Sequence, residues 1–264
     1  YKNNTRVFIS MDQLSLIHPY IGSGKKPKLS TLGSKKWKNE VAKAKESARE
    51  VVYELFSLYS QKTKKRSFSY EKENDVDGAL SSSFSFLETP DQKKAFQDVF
   101  SDMNGSIPMD RLVSGDVGFG KTEVAIRAMF KAFLSDRLSV LLCPTTILAD
   151  QHFITCKERL APFGVSVSLL SRFKSKKEQV QTLHLLKRGK IDVLIGTHRV
   201  LSKDVEFMNL GLLVVDEEHR FGVNHKEKIR SFKNNIDVLT LTATPIPRTL
   251  QHSLIGLKNL TTIK

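Results

Sequence analysis

From Pro90 onward the chain alternates between short apolar runs and longer stretches of helical spacing. The runs are Arg111–Ser114, Ser139–Cys143, Val165–Leu170, Ile191–Ile195, Leu212–Val215 and Val238–Leu241. Near-continuous apolar strands separated by helical segments predict βαβ units: a parallel sheet with helices on both faces. The front of the chain follows other rules. Over residues 5–17, Val7, Ile9 and Met11 alternate with Arg6, Phe8, Ser10 and Asp12, which predicts one or two short strands. Gly22-Ser23-Gly24-Lys25-Lys26-Pro27 is a turn. From Ser34 to Gln61 the apolar residues Trp37, Val41, Ala44, Ala48, Val51, Val52, Leu55 and Leu58 recur at three- and four-residue steps. Ser34 is the expected N-cap of that long helix. Residues 62–84 are basic, then acidic, then serine-rich, and are expected to be a linker. The expected order is therefore a small β unit (1–33), a helix (34–61), a linker (62–84) and an α/β domain (85–264). Nothing repeats at a fixed period.

Composition narrows the class. At 40% hydrophobic and 27% charged residues, the 264-residue chain is not disordered throughout. No apolar run is long enough to cross a membrane, so no membrane partner is expected. The start, Tyr1-Lys2-Asn3-Asn4, has neither Met nor a signal-peptide core, which suggests an excised fragment. Cys143 and Cys156 have no metal-type spacing, so neither a zinc site nor a disulfide framework is expected, and a reducing cytoplasm is the default location. The net charge of +14 is uneven: residues 1–66 carry 15 Lys/Arg against 5 Asp/Glu, leaving +4 for the rest. A polyanion partner and a solvated lysine-rich helix face explain this equally well. Trp37 and His18 read as packing residues.

The chemistry sits at the strand ends. Gly115-Asp116-Val117-Gly118-Phe119-Gly120-Lys121-Thr122 follows an expected strand and opens an expected helix, Glu123 to Leu134. It fits G-x-x-x-x-G-K-[ST], in which Gly115, Gly118 and Gly120 let backbone N–H groups wrap phosphates. Lys121 would reach the β- and γ-phosphates and the Thr122 hydroxyl would ligate Mg²⁺. The run Leu212–Val215 leads into Asp216-Glu217-Glu218-His219, 95 residues past Lys121. A carboxylate there, Asp216, suits Mg²⁺, and Glu217 suits an attacking water. Thr242-Ala243-Thr244 ends the next strand, where hydroxyls would couple the nucleotide site to a second surface. Pro144-Thr145-Thr146 and Gly196-Thr197-His198-Arg199 end two further strands. In an open α/β sheet all these loops share one edge, where Pro144, Thr145, Thr146, Thr197, His198 and Arg199 would suit a nucleic-acid backbone. The competing explanation for each threonine is helix capping.

These residues carry a resemblance. Asp216-Glu217-Glu218-His219 with Thr242-Ala243-Thr244 resembles the DExH and TAT motifs of superfamily 2 helicases. Phe86-Leu87-Glu88-Thr89-Pro90-Asp91-Gln92 resembles their glutamine motif, which implies that Gln92 reads adenine. Met109-Asp110-Arg111-Leu112, Asp216 through Val223, and Leu241 through Leu250 more narrowly resemble bacterial transcription-repair coupling factors (Mfd). RecG branch-migration helicases share most of this lobe. Val7 through Leu14, Pro27-Lys28-Leu29, Leu32-Gly33 and Trp37 resemble the end of the RNA-polymerase-interacting module of the coupling factors and the long helix after it. The implied fold is a RecA-like, ATP-binding first motor lobe. The implied activity is ATP- and Mg²⁺-dependent translocation on double-stranded DNA, with RNA polymerase and excision-repair proteins as partners. His219 and Thr242, Ala243 and Thr244 would transmit the nucleotide state. A second lobe bearing an arginine motif is expected beyond Lys264, so residues 1–264 alone are expected to turn over little ATP. The alternatives are a RecG-like helicase on branched DNA and a nucleotide-gated polymerase-binding adaptor without motor activity.

Overall fold

The computed structural model describes residues 65–70, 75–232, 235–243 and 259–264, all within one compact unit, Gln61–Lys264. The strands and turn expected over 5–27, the helix expected over 34–61, Trp37, His18 and Thr244 lie outside the described residues. The seven described strands are β1 (Asp110–Gly115), β2 (Leu138–Leu142), β3 (Val167–Leu170), β4 (Val193–Gly196), β5 (Leu210–Asp216), β6 (Asp237–Thr242) and β7 (Asn259–Ile263). They form one sheet in the order β3-β4-β2-β5-β6-β1-β7, and every pairing is parallel. The helices are α1 (Asp75–Ser82), α2 (Pro90–Asn104), α3 (Lys121–Leu134), α4 (Thr146–Leu160), α5 (Lys176–Lys187) and α6 (Val223–Phe232). Among the described residues none is long and apolar enough to cross a membrane.

The apolar runs are continuous because both faces of the sheet are covered. In β5, Leu212 and Val214 enter one core while Leu213 and Val215 enter the other. The two-residue period of a strand sorts its side chains in this way. One core is closed by Ala95, Phe96, Val99 and Met103 of α2, by α3, and by Ala149, Cys156 and Leu160 of α4. The opposite core is closed by Leu186 of α5 and Ile229 of α6. Helix α3 is covered on several sides, and every residue from Glu123 to Ala132 is buried. Its charged members recur every fourth residue and are paired inside. Arg127 donates to Glu123 Oε1 at 3.0 Å, lies 2.6 Å from Glu88 Oε1 and stacks 3.9 Å from the Phe96 ring centre. Arg159 of α4 donates to the same Glu123 oxygen at 2.8 Å.

The stretch 62–84, expected as a linker, is packed into the lobe where it is described. Arg66 is 8% exposed and donates to the carbonyls of Met103 and Gly105, at 2.6 and 2.7 Å. Tyr70 donates its hydroxyl to Gly211 O at 2.9 Å, and Ser83 accepts from Arg159. Basic and serine-rich composition mimics a solvated segment, but here the polar groups satisfy buried backbone carbonyls.

Arg66 Nη1 also approaches Asp237 Oδ2 at 3.2 Å, at the start of β6, with both side chains almost fully buried. Asp237 Oδ1 accepts Met109 N–H at 2.6 Å, which locks β6 beside β1. Oδ2 has the ion pair but no aligned hydrogen bond. Burial therefore outweighs the arginine and pushes the Asp237 carboxyl up to about 6. The folded state then holds this proton more tightly than the unfolded chain does. Its contribution to stability is complete below about pH 4 and is lost as pH rises through about 6, a change of about 3 kcal/mol. Denaturant titrations at pH 4.5 and 7.0 should show about two-thirds of this loss in the native sequence and none of it in Asp237→Asn. An identical pH response in both would remove Asp237 as its source.

Candidate functional site

Because every strand runs the same way, the loops after β1, β2, β4, β5 and β6 leave from one edge. Register sets their heights: Val113 of β1 pairs with Leu241 of β6, and Leu241 pairs with Asp216 of β5. The phosphate-loop sequence, Asp216-Glu217 and Thr242-Ala243 therefore emerge side by side.

The loop after β1 turns through left-handed backbone at Gly118 (φ 86°) and Gly120 (φ 83°). A Cβ on Gly120 would also sit 2.6 Å from Gln92 Nε2, a side-chain end that could swing aside, so it is the left-handed backbone that calls for glycine here. Gln92 caps α2 reciprocally with Thr89: its backbone N–H donates to Thr89 Oγ1 and its Oε1 accepts Thr89 N–H. Its Nε2 donates to Phe119 O at 3.1 Å, tying α2 to the loop. Gly115 is close-packed too, since a Cβ there would meet Ile263 O of β7 at 2.8 Å. Lys121 donates to the carbonyls of Gly115 (2.6 Å) and Asp116 (2.7 Å). Burial holds its ammonium below the usual lysine range, offset in part by Glu217, Asp216 and Asp116. Thr122 follows it, half-buried, in the first turn of α3.

Asp216 closes β5, and its Oδ2 lies 3.2 Å from His152 Nε2 of α4. Glu217 adopts φ 50°, a left-handed conformation that is costly for a residue with a Cβ. The turn aims its carboxylate at the end of β6. Oε1 accepts Ala243 N–H at 2.7 Å, and Oε2 accepts the Thr242 hydroxyl at 3.2 Å. His219, half-exposed, places Nδ1 3.2 Å from the same Oε2. Glu217 thus bridges the ends of β5 and β6. A loop of backbone N–H groups beside an ammonium, a hydroxyl and two carboxylates fits a nucleoside triphosphate with a hard divalent cation.

The residues expected at a nucleic-acid backbone divide. Pro144 and Thr146 are half-buried, Thr145 is exposed, and Thr145 Oγ1 caps α4 by accepting Leu148 N–H at 3.3 Å. Thr197 is 2% exposed, and its hydroxyl has no hydrogen-bond partner. His198 is exposed, 5.5 Å ring to ring from His225. Burial, then His225 and Arg172, hold it below the usual histidine range. Arg199 is committed to protein, with both terminal nitrogens on Asp204 (2.9 and 2.7 Å) and Nε on Gln179 (3.1 Å). His152 is absent from the sequence reading; its only signal is a polar residue on the apolar stripe of α4.

A family model for DEAD/DEAH box helicases matches residues 89–253. The transcription-repair-coupling factor of Bacillus subtilis (strain 168) is 45% identical over 265 residues, covering 100% of this chain and 22% of that protein. That of Staphylococcus aureus (strain USA300) is 46% identical, covering 100% and 23%. The chain therefore spans less than a quarter of the length of these relatives. Among solved structures, RecG bound to a three-way DNA junction matches with a TM-score of 0.69 and 34% identity, over 83% of this chain and 31% of that one. A hypothetical ATP-dependent RNA helicase from Sulfolobus tokodaii matches with a TM-score of 0.54 at 16% identity, over 72% and 57%, a likeness of fold alone. With the matched residues running from Thr89 beyond the end of β6, around a nucleotide-binding loop and an Asp-Glu strand end, the chain belongs to the DEAD/DEAH box helicase family.

Proposed function

We propose that this chain is the ATP-binding lobe of a double-stranded-DNA translocase that couples transcription to repair. The observation that carries this reading is identity of 45–46% along the whole chain, including its first 60 residues, to two transcription-repair-coupling factors. Gly115, Gly118 and Gly120 cradle the phosphates, and Lys121 neutralises the β- and γ-oxygens. Thr122 and Asp216 hold Mg²⁺, which when bound neutralises charge on the phosphates. Glu217 orients and deprotonates water, Gln92 contacts adenine, and His219 with Thr242, Ala243 and Thr244 transmits the nucleotide state. Duplex DNA runs over Pro144, Thr145, Thr146, His198 and Arg199, with Arg199 first having to yield its pairing to Asp204; Thr197, expected on the same surface, is buried and out of reach of a backbone phosphate. The parent protein would engage RNA polymerase and excision-repair proteins, and residues 1–264 alone would hydrolyse ATP slowly.

The RecG likeness favours a second reading, a helicase acting on branched DNA. The test uses the longer protein that carries this chain, with two measurements: ATPase with and without duplex DNA, and capture of RNA polymerase. DNA-stimulated hydrolysis with polymerase capture supports the coupling reading. Stimulation without capture supports the RecG-like one, and capture without stimulation leaves an adaptor. Backbone contact also predicts salt sensitivity. With three or four phosphate contacts, duplex binding should weaken roughly 40- to 150-fold between 50 and 200 mM salt, with little dependence on sequence. A strong preference for one duplex at fixed salt would instead indicate base reading.

A further inference from the structure

Helix α4 packs into the sheet through Ala149, Cys156 and Leu160, all fully buried. Three- and four-residue steps place position 152 on that same stripe. An aliphatic side chain would complete it, but the residue is His152. Its side chain is 14% exposed, with Nε2 at 3.2 Å from Oδ2 of Asp216, itself 13% exposed. An ionised carboxylate only accepts, so the ring proton belongs on Nε2. Oδ1 of Asp216 has no donor among the described residues, and Lys121 and the phosphate loop lie on the same sheet edge.

We propose that His152 is a positioning residue: its Nε2–H holds one oxygen of Asp216 so that the other is presented to the magnesium ion of a bound nucleotide. The proposal rests on the metal-holding role of Asp216 given above. A carboxylate at a strand end keeps freedom about its side-chain torsions. A single N–H on a helix anchored by buried neighbours fixes it without occupying the oxygen the metal needs. Donors of this kind behind metal-ligating groups are worth about 10- to 100-fold in metal affinity. A histidine that merely satisfied a polar edge would add stability without changing the metal requirement.

The experiment titrates Mg²⁺ into residues 1–264 with a fluorescent ATP analogue and reads the Mg²⁺ midpoint of binding, with thermal melts run alongside. His152→Ala should raise the midpoint about tenfold while leaving affinity measured in excess chelator unchanged. His152→Gln, which keeps an N–H donor at similar reach, should return it to within about threefold of the native value. An unchanged midpoint in His152→Ala beside a raised one in Asp216→Asn overturns the proposal and spares the role of Asp216. A glutamine variant no better than alanine overturns it as well. An unchanged midpoint in Asp216→Asn removes the metal-holding role itself, and the proposal with it.

Discussion

Lys121→Ala is expected to weaken ATP binding by roughly ten- to a hundredfold, whereas Glu217→Gln should leave binding within about twofold and slow hydrolysis by about 10²–10⁴-fold. The two residues face the same chemistry from different sides. Lys121 holds its ammonium against the carbonyls of Gly115 and Asp116, where burial disfavours the charge. Phosphate oxygens would solvate that charge better than two neutral carbonyls, so its removal is felt in the bound ground state. Glu217 has its oxygens on Ala243 N–H, the Thr242 hydroxyl and His219, so the carboxylate is placed by the end of β6 rather than by a ligand. A glutamine keeps an oxygen for Ala243 N–H and can donate to the Thr242 hydroxyl. The local fold should survive while the base is lost. Equilibrium binding of a fluorescent ATP analogue, beside steady-state ATPase of the hydrolysing parent protein, separates the two effects. Equal loss of affinity in both variants would mean the roles are misassigned.

What the sequence discloses follows from which residues have a single physical explanation. Six strands were legible because a strand buried on both faces leaves an unbroken apolar run; Leu212 to Val215 has no other use for four such residues. Their ends shifted by up to two residues, since Val165 and Ile191 are buried beside strands that begin at Val167 and Val193. Strand β7 was missed: Asn259-Leu260-Thr261-Thr262-Ile263 lies at the sheet edge, half-exposed, and its polar members hide the pattern. The phosphate loop was legible because glycine at φ 83° and 86° has no cheap substitute. His152 and Thr197 show the limit. One polar residue on an apolar stripe and one threonine after a strand look alike in sequence, yet one meets a carboxylate and the other is buried with its hydroxyl unpartnered. Arg66 was misread for the same reason, since a buried cation and a solvated one have the same letter.

That misreading makes Arg66→Ala the substitution with the largest expected effect on folding. The guanidinium lies beneath the start of β6, donating to Met103 O and Gly105 O, facing Asp237 at 3.2 Å and stacking 4.8 Å from the Tyr70 ring centre. Truncation leaves a buried carboxylate without its counter-charge and two carbonyls without donors. Breaking a buried pair from one side costs about 3–5 kcal/mol, more than the pair itself contributes. For a lobe of this size that corresponds to a fall in Tm of roughly 10 °C. Arg66→Met with Asp237→Asn removes both charges while keeping volume, and should recover about half or more of the loss. Because β6 ends at Thr242, with Ala243 just beyond it and far from Arg66 at its start, Arg66→Ala should loosen Glu217 only by unfolding the lobe, not by a local change. Nucleotide affinity well below the melting transition is therefore expected to stay within about twofold, measured on samples with native circular dichroism. A Tm unchanged to within 2 °C, as an exposed linker arginine would give, would contradict the buried network.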